Sequence, residues 1–551
     1  MQIQVPTDPF DAIVVGSGAT GGWAAKKLTE AGMRVCLLEA GKKITKQDYT
    51  EHVNSWQLPY LGMSPKVRQT RPIQGNCYAC TEYNYEWFVN DLENPYTQQK
   101  PFSWIRQRVL GGRSLSWGRQ SYRMGPLDFK AATHDGYGED WPVSYEEMVP
   151  YFEEVEKYVG ISGRAEGLKS LPDSVFLPPM SMTCAEEHLR DQVKTKMGRT
   201  VTIGRVAILT RNHRDRQACH YCGPCERGCI TTSYFSSPYT TIKDAQETGR
   251  LTLLCDSVAS HLVVKDGKAT GVAYVERESR MPREVKGKII VLCASTLEST
   301  RLLMNSGAFD SSGALGHYLM DHIYQGGASG ILPVAEAKPW AGMPKRPNGI
   351  YVPRFRNVDR SHTNGMIRGY GYQGGAMPSF SMGAPGFGKS YKEAVRNGEW
   401  TAGLGVWAEC LPRYENKVAL DKNNLDAWGI PTLSVDMAWS ANELALWADA
   451  KQEAAAMLES AGAKNVRING REPSVPGHCI HECGTARMGD SPKKSVLNKW
   501  NQSWDVENVF VTDGAAWVTQ GCANPTLTMM AVTVRACDYI AREYAKKIAK
   551  A

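Results

Sequence analysis

Residues 10–41 read FDAIVVGSGATGGWAAKKLTEAGMRVCLLEAG. The apolar run Ala12–Val15 predicts a strand, and Gly16, Gly18 and Gly21 follow it at G-x-G-x-x-G spacing. A helical stretch from Gly22 to Glu30 ends at Gly32, and a second apolar run, Val35–Leu38, closes on Glu39. Strand, glycine turn, helix, strand and acid together form the context in which this spacing points to a dinucleotide. The glycines let the backbone approach a pyrophosphate at the helix N-terminus, and the acid accepts hydrogen bonds from a ribose. The motif by itself does not separate NAD from FAD.

Working outward, the chain has 551 residues, 42% of them hydrophobic, enough for two domains or one elaborate one. Its 64 basic and 57 acidic side chains leave a net charge of +7 with the signs interspersed, a pattern that argues against nucleic acid. The basic C-terminal stretch REYAKKIAKA reads as a solvated helix end. No segment reaches the roughly 20 apolar residues needed to cross a bilayer. The start, MQIQVPTDPFDAIVVG, has neither a basic n-region nor a small-residue cleavage site, so no export signal is expected in this chain. Gly- and Pro-rich stretches near 333–350 and 371–390 read as long loops closing over something.

Residues 218–229, ACHYCGPCERGC, place Cys219, Cys222, Cys225 and Cys229 in a C-x2-C-x2-C-x3-C run. That spacing suits an iron–sulfur cluster, [4Fe-4S] or [3Fe-4S], although Ile230 stands where the ferredoxin run has proline. Four thiolates also satisfy tetrahedral zinc, and that alternative stays open. Cys77 and Cys80 form a separate C-x2-C, read as two buried thiols, a disulfide or half a metal site. Cys36 and Cys293 lie in apolar runs and read as buried. HCIHE (478–482) has the wrong order for a metalloprotease zinc helix.

Seven further motifs occur in order. They are VLGGRSLSWG (109–118), WPVSYEEMVPYFEEV (141–155), ASTLESTRLLMNSG (294–307), LGHYLMDH (315–322), HECGTARMG (481–489), VFVTDGAAW (509–517) and GCANPTLTMMAV (521–532). From residue 10 to about 543 the chain resembles the glucose–methanol–choline (GMC) family of FAD oxidoreductases. It is most like the branch of catalytic subunits of FAD-dependent glucoside 3-dehydrogenases.

The resemblance implies an α/β, Rossmann-like FAD-binding domain of GMC type with an α+β substrate domain built on an antiparallel sheet. The expected division is 1–48, 101–130, 236–310 and 484–551 for FAD, and 49–100, 131–200 and 311–483 for substrate. Residues 201–235 would form a cluster insertion. Gly111 and Gly112 would pass close to the flavin, and Asp513 and Gly514 would meet the pyrophosphate or ribityl chain. Val258 would sit by the adenine, in a strand pair spanning 251–264. Ser116 stands where some members attach the flavin through histidine, so FAD is expected to be noncovalent.

Alcohol oxidation needs a base that is neutral near pH 7. His481, in H-x-x-G-T, matches the family's catalytic histidine, and Asn524 matches the partner that holds the substrate oxygen. His478 is the competing base, with a supporting hydrogen bond its expected role, and His322 reads as a structural hydrogen-bonding residue. Trp87, Trp117, Tyr122, Tyr370, Tyr372 and Trp407 are candidate sugar-facing aromatics, and Asp421 and Asp426 read as turn residues. The implied activity is oxidation of the C3 hydroxyl of a glucopyranoside to the 3-keto sugar. Electrons would leave through the cluster to a c-type cytochrome, and a small subunit carrying an export signal would take the chain to the bacterial periplasm. Attack at C1, C2 or C5, a pyranose oxidase using oxygen, and a non-catalytic flavin electron-transfer subunit are the alternatives.

Overall fold

The computed structural model describes residues 8–334, 346–379, 386–396 and 398–545. The opening stretch forms the strand Phe10–Val15, the helix Ala19–Glu30 and the strand Val35–Leu38. Gly32, at φ +89°, turns the chain back after the helix. Phe10–Val15 lies parallel to Val35–Leu38 on one side and to Pro282–Leu292 on the other. Leu251–Leu254 extends the layer beyond Val35–Leu38, and Val509–Val511 adds in parallel to Pro282–Leu292. A parallel layer covered on both faces needs continuous apolar strands, and VCLL is buried at every position. The helices Ala19–Glu30 and Thr526–Ile540 pack against each other, so the last helix closes on the first.

The stretch 251–264 forms two strands, Leu251–Leu254 and the start of Ser257–Lys265. Leu251–Leu254 belongs to the parallel layer. After Asp256, at φ +52°, Ser257–Lys265 turns away to pair antiparallel with Lys268–Glu276. The two halves therefore have different partners rather than each other.

The second sheet has the order Lys464–Asn469, Gly327–Ile331, Glu399–Ala408, Tyr370–Ser379, Ile350–Val352, Thr202–Ile203, and is antiparallel. Along Glu399–Ala408 burial alternates strictly. Trp400, Ala402, Leu404, Val406 and Ala408 join the core cluster formed with the helices Cys184–Met197 and Ala441–Ser460. The opposite face, carrying Trp407 and Gln373, lines a cavity.

One loop expectation is corrected by this architecture, and two elements pack across the expected division. Residues 371–379 are strand rather than loop, while 335–345 and 380–385 lie outside the described residues. Thr202–Ile203, allotted to the insertion, pairs with Ile350–Val352 in the substrate sheet. The helix Tyr145–Val159, allotted to the substrate part, packs on Thr526–Ile540 of the nucleotide layer. The last residues of the basic C-terminus, 546–551, also lie outside the described residues.

Asp421 lies within the strand Lys417–Leu425, where Thr97 donates to it at 2.5 Å, so it is not a turn residue. Asp426 does form the turn, accepting from the N–H groups of Trp428 and Ile430, and it also pairs with Arg301 at 2.7 Å.

Candidate active site

A cavity of about 610 Å³ runs between the two sheet systems. Gly16 opens it: the backbone there sits at φ +97°, and a Cβ would lie 2.4 Å from the Cys293 carbonyl. Gly18 faces open space within 4 Å, and a Cβ on Gly21 would lie 1.8 Å from the Gly16 carbonyl, so the turn tolerates no side chain at its base. Glu39 accepts from the N–H and hydroxyl of Ser17, and from Gly41 N–H at 2.8 Å. Burial pushes its carboxyl up in spite of these donors. Ser257 donates its N–H to the Glu39 carbonyl, which sets Val258 beside the acid on the same wall.

Gly112, Ser116, Asp513 and Gly514 line the same cavity. Gly21 and Gly111 stand just behind the lining; Gly111, at φ +96°, would drive a Cβ into the Pro238 ring. The Ser116 hydroxyl accepts from Gln107 at 2.7 Å. Asp513 is held by Ser299 and by Ala515 N–H, and burial lifts its carboxyl to about 6.

Elsewhere along the cavity, His481 and Asn524 come together. Asn524 Nδ2 is 3.3 Å from His481 Nε2, and Gln373 Nε2 donates to Asn524 Oδ1 at 2.9 Å. His481 Nδ1 faces His322 Nδ1 at 3.0 Å and Cys479 Sγ at 3.3 Å. Burial holds His481 well below its ordinary value, with His322 and Arg113 adding to the effect. His481 is thus a neutral imidazole at pH 7. The loop before it is shaped by Asp321, whose carboxyl oxygens accept N–H from Gly477 (2.8 Å), Cys479 (3.2 Å) and His481 (3.0 Å). Burial, helped by Glu482, lifts Asp321 to about 8 against those donors.

His478 points elsewhere: its Nε2 donates to the Asn76 carbonyl at 2.9 Å and its Nδ1 meets the Tyr324 hydroxyl at 2.9 Å. His322 is fully buried and hydrogen-bonded at both ring nitrogens. Of the six candidate aromatics, Trp117 and Trp407 line the cavity, whereas Trp87, Tyr122, Tyr370 and Tyr372 are buried in the core. Sequence reasoning missed Gln373, Gln520, Asp321 and Tyr324. Asp321 had a signal, its place beside His322 in MDH; Gln373 had none, because its strand read as loop.

Cys219, Cys222, Cys225 and Cys229 lie outside this lining, on a loop seated against residues 49–84. Thr50 N–H donates to the Arg227 carbonyl, Asn84 donates to the Glu226 carbonyl, and a Cβ on Gly228 would lie 2.3 Å from the Tyr49 ring. Tyr221 N–H reaches Cys219 Sγ at 3.4 Å and Ser233 N–H reaches Cys229 Sγ at 3.3 Å. Cys225 shares an apolar cluster with Tyr234, whose hydroxyl donates to the Leu115 carbonyl between Gly112 and Ser116. Cys77 and Cys80 are buried free thiols, as are Cys36 and Cys293. Among the described residues, His322, Cys479 and His481 form a group of metal-type donors within 4.8 Å of one another.

The cavity fits an extended dinucleotide carrying an aromatic ring system. It has a glycine cradle at Gly16–Gly21, a buried acid at Glu39, and a second glycine turn at Gly112. Arg119 Nε, Gln107 Oε1 and Glu482 Oε1 line it, buried and without hydrogen-bond partners.

Family models for GMC oxidoreductases match residues 10–324 and 412–533. The chain belongs to the GMC oxidoreductase family. As a GMC enzyme it is an FAD-dependent oxidoreductase acting on CH–OH groups. It is 31% identical to the 2-methyl-1,2-propanediol dehydrogenase of Mycolicibacterium austroafricanum, over 98% of this chain and 96% of that one. It is 26% identical to the fructose dehydrogenase large subunit of Gluconobacter japonicus, over 96% of this chain and 97% of that one. Over 54% of each chain it is 27% identical to the C-glycoside 3-oxidase of Arthrobacter globiformis. Among the described residues, no helix of this GMC protein is long and apolar enough to cross a membrane.

Proposed function

We propose that this GMC enzyme is a dehydrogenase oxidising a secondary hydroxyl of a sugar or glycoside, with C3 of a glucopyranoside as the position attacked and the 3-keto sugar as product. The observation that carries the reading is the pairing of His481 Nε2 with Asn524 Nδ2, 3.3 Å apart in the cavity that also holds the glycine cradle. FAD bound noncovalently there supplies the hydride acceptor for the alcohol carbon. The chain supplies the rest. His481, kept neutral by burial, takes the hydroxyl proton at Nε2, and Asn524 donates to the same oxygen and orients it. Gln373 fixes the Asn524 amide. Trp407, stacked on Tyr324 at 5.7 Å between ring centres, offers an apolar wall of the kind pyranose rings lie against. A relative named for oxidation at position 3 of a glycoside favours C3, and one named for fructose favours a sugar more broadly.

In this reading Cys219, Cys222, Cys225 and Cys229 would hold an iron–sulfur cluster, which would supply a one-electron outlet toward a c-type cytochrome. Two N–H groups aimed at sulfur, and the contact from Cys225 through Tyr234 to the Leu115 carbonyl at the cavity wall, support it. A signal-bearing small subunit would carry the enzyme to the bacterial periplasm; one relative is itself named as a large subunit. Cell fractionation with every subunit expressed tests that location.

The deciding experiment is a dye-coupled screen of glucose, disaccharides and glycosides, with NMR of the product to locate the ketone. A 3-keto product is expected. A C1 lactone, or a keto group at C2 or C5, would replace the C3 assignment, and turnover only with dioxygen would make the enzyme an oxidase.

A further inference from the structure

His481 can act as a base only through a ring nitrogen that carries no proton, and the two nitrogens of a neutral imidazole are not equivalent. The surrounding hydrogen bonds decide which one is free. His322 Nε2 lies 2.7 Å from the Gly521 carbonyl. A carbonyl only accepts, so His322 Nε2 carries the proton. Burial holds His322 down at about 4, so it is neutral and its Nδ1 is a bare acceptor. Gln520 bears this out. Its Nε2 is identified as nitrogen by the His481 carbonyl at 3.0 Å, and the same group points at His322 Nδ1 at 3.1 Å. Asn524 Oδ1 accepts from Gln373, so the Asn524 amide nitrogen donates to His481 Nε2, and the proton of the neutral His481 ring lies on Nδ1, 3.0 Å from that bare nitrogen. The Cys479 thiol beside it both gives and takes hydrogen bonds and does not alter this assignment.

We propose that His322 is a positioning residue that locks His481 in its Nδ1–H tautomer, leaving Nε2 unprotonated toward the substrate. This deepens the role given to His481 above and rests on that reading. A directed chain results. The Gly521 carbonyl accepts from His322, His322 accepts from His481, His481 Nε2 accepts from Asn524, and Asn524 Oδ1 accepts from Gln373. The substrate hydroxyl gives its proton to His481 Nε2; FAD, when bound, would supply the acceptor for the hydride of the same carbon, so that a ketone is left. The imidazolium so formed keeps its Nδ1–H bond to His322, while the Asn524 N–H that Nε2 accepts in the free site passes to the substrate oxygen. Without His322, Nδ1–H has no strong acceptor and the proton is free to move to Nε2, which disables the base.

The test is long-range ¹H–¹⁵N NMR on the holoenzyme labelled with ¹⁵N-histidine, the His481 signals being assigned by their loss in His481→Asn. The expected wild-type result is a protonated Nδ1 and a bare Nε2. His322→Leu is expected to populate Nε2–H and to lower kcat at least about tenfold with little change in KM, on the scale of a lost general base. His322→Gln, whose amide donates to Gly521 and accepts from His481, is expected to restore the tautomer and recover most of that loss. A wild-type His481 protonated at Nε2 would overturn the proposal, as would a His322→Leu enzyme with unchanged tautomer. The NMR measurement reads no turnover, so failure of the lock is distinguishable from failure of His481 as the base.

Discussion

In the proposed mechanism a single imidazole carries the proton chemistry, and its environment sets its pH range. Burial holds His481 well below the ordinary value of 6.5, so its acid limb moves below that pH. The expected profile of kcat/KM with glycoside and dye stays flat through pH 6.5 and falls only at lower pH. A limb at or above 6.5 would contradict the environment described. His481→Ala is expected to cost about 10²-fold or more in kcat while the flavin stays bound, measured by dye reduction and by flavin absorbance. His322 has a second effect. Its folded value is about 4 against 6.5 unfolded, so between those pH values the unfolded chain binds the extra proton. Its contribution to stability is therefore lost as pH falls from about 6.5 toward 4. His481 and Asn524 were legible because each sits in a local motif. Gln373 was not, because it reaches Asn524 across a sequence separation of 151 residues, and a lone glutamine among glycines carries no local pattern.

Elements show where glycine means two different things. At Gly16 it means a backbone angle and a close approach; Gly16→Ala is expected to yield folded protein with most flavin lost, read from the ratio of flavin to protein absorbance. In 371–379 glycine marks strands pressed together: a Cβ on Gly374 would lie 2.1 Å from the Gly403 carbonyl. From sequence alone that stretch looks like loop, because its evidence for being strand lies in the facing strand. The cysteine loop has the reverse character. Its spacing is explicit in the sequence, whereas its seat on residues 49–84 is not, since Tyr49 and Asn84 bear no mark of it. Cys225→Ser is expected to lower bound iron and acid-labile sulfide while leaving flavin content intact. Full iron content in that variant would remove the cysteine from the proposed ligand set.

The whole molecule depends on long-range ion pairs that tie the nucleotide layer to the segments around it. Arg301 and Glu298 lie on the helix Thr296–Ser306 of the nucleotide layer. Arg301 reaches Asp426 at 2.7 Å, and Arg108 reaches Glu298 at 2.9 Å. Burial alone would raise Glu298, but Arg108, Arg301 and Arg106 together hold it at about 2. Asp426→Ala removes one of the two carboxylates paired with Arg301 and leaves Glu298 and the carbonyls of Ile430 and Pro431, so a loss of about 1–3 kcal/mol is expected, seen as a lower Tm. The doubly wound layer was legible from its first 32 residues, and the antiparallel sheet only by resemblance, because its strands lie scattered between residues 202 and 469.

The cavity between the sheets has a consequence for the living cell. A polypeptide that closes around a hollow at its centre gains stability from whatever fills it, in proportion to supply. Cells starved of riboflavin should hold less of this protein, not only less active protein, because the empty form visits opened states that proteases cut. Pulse-chase turnover in a riboflavin auxotroph should show the lifetime lengthening as the vitamin is restored.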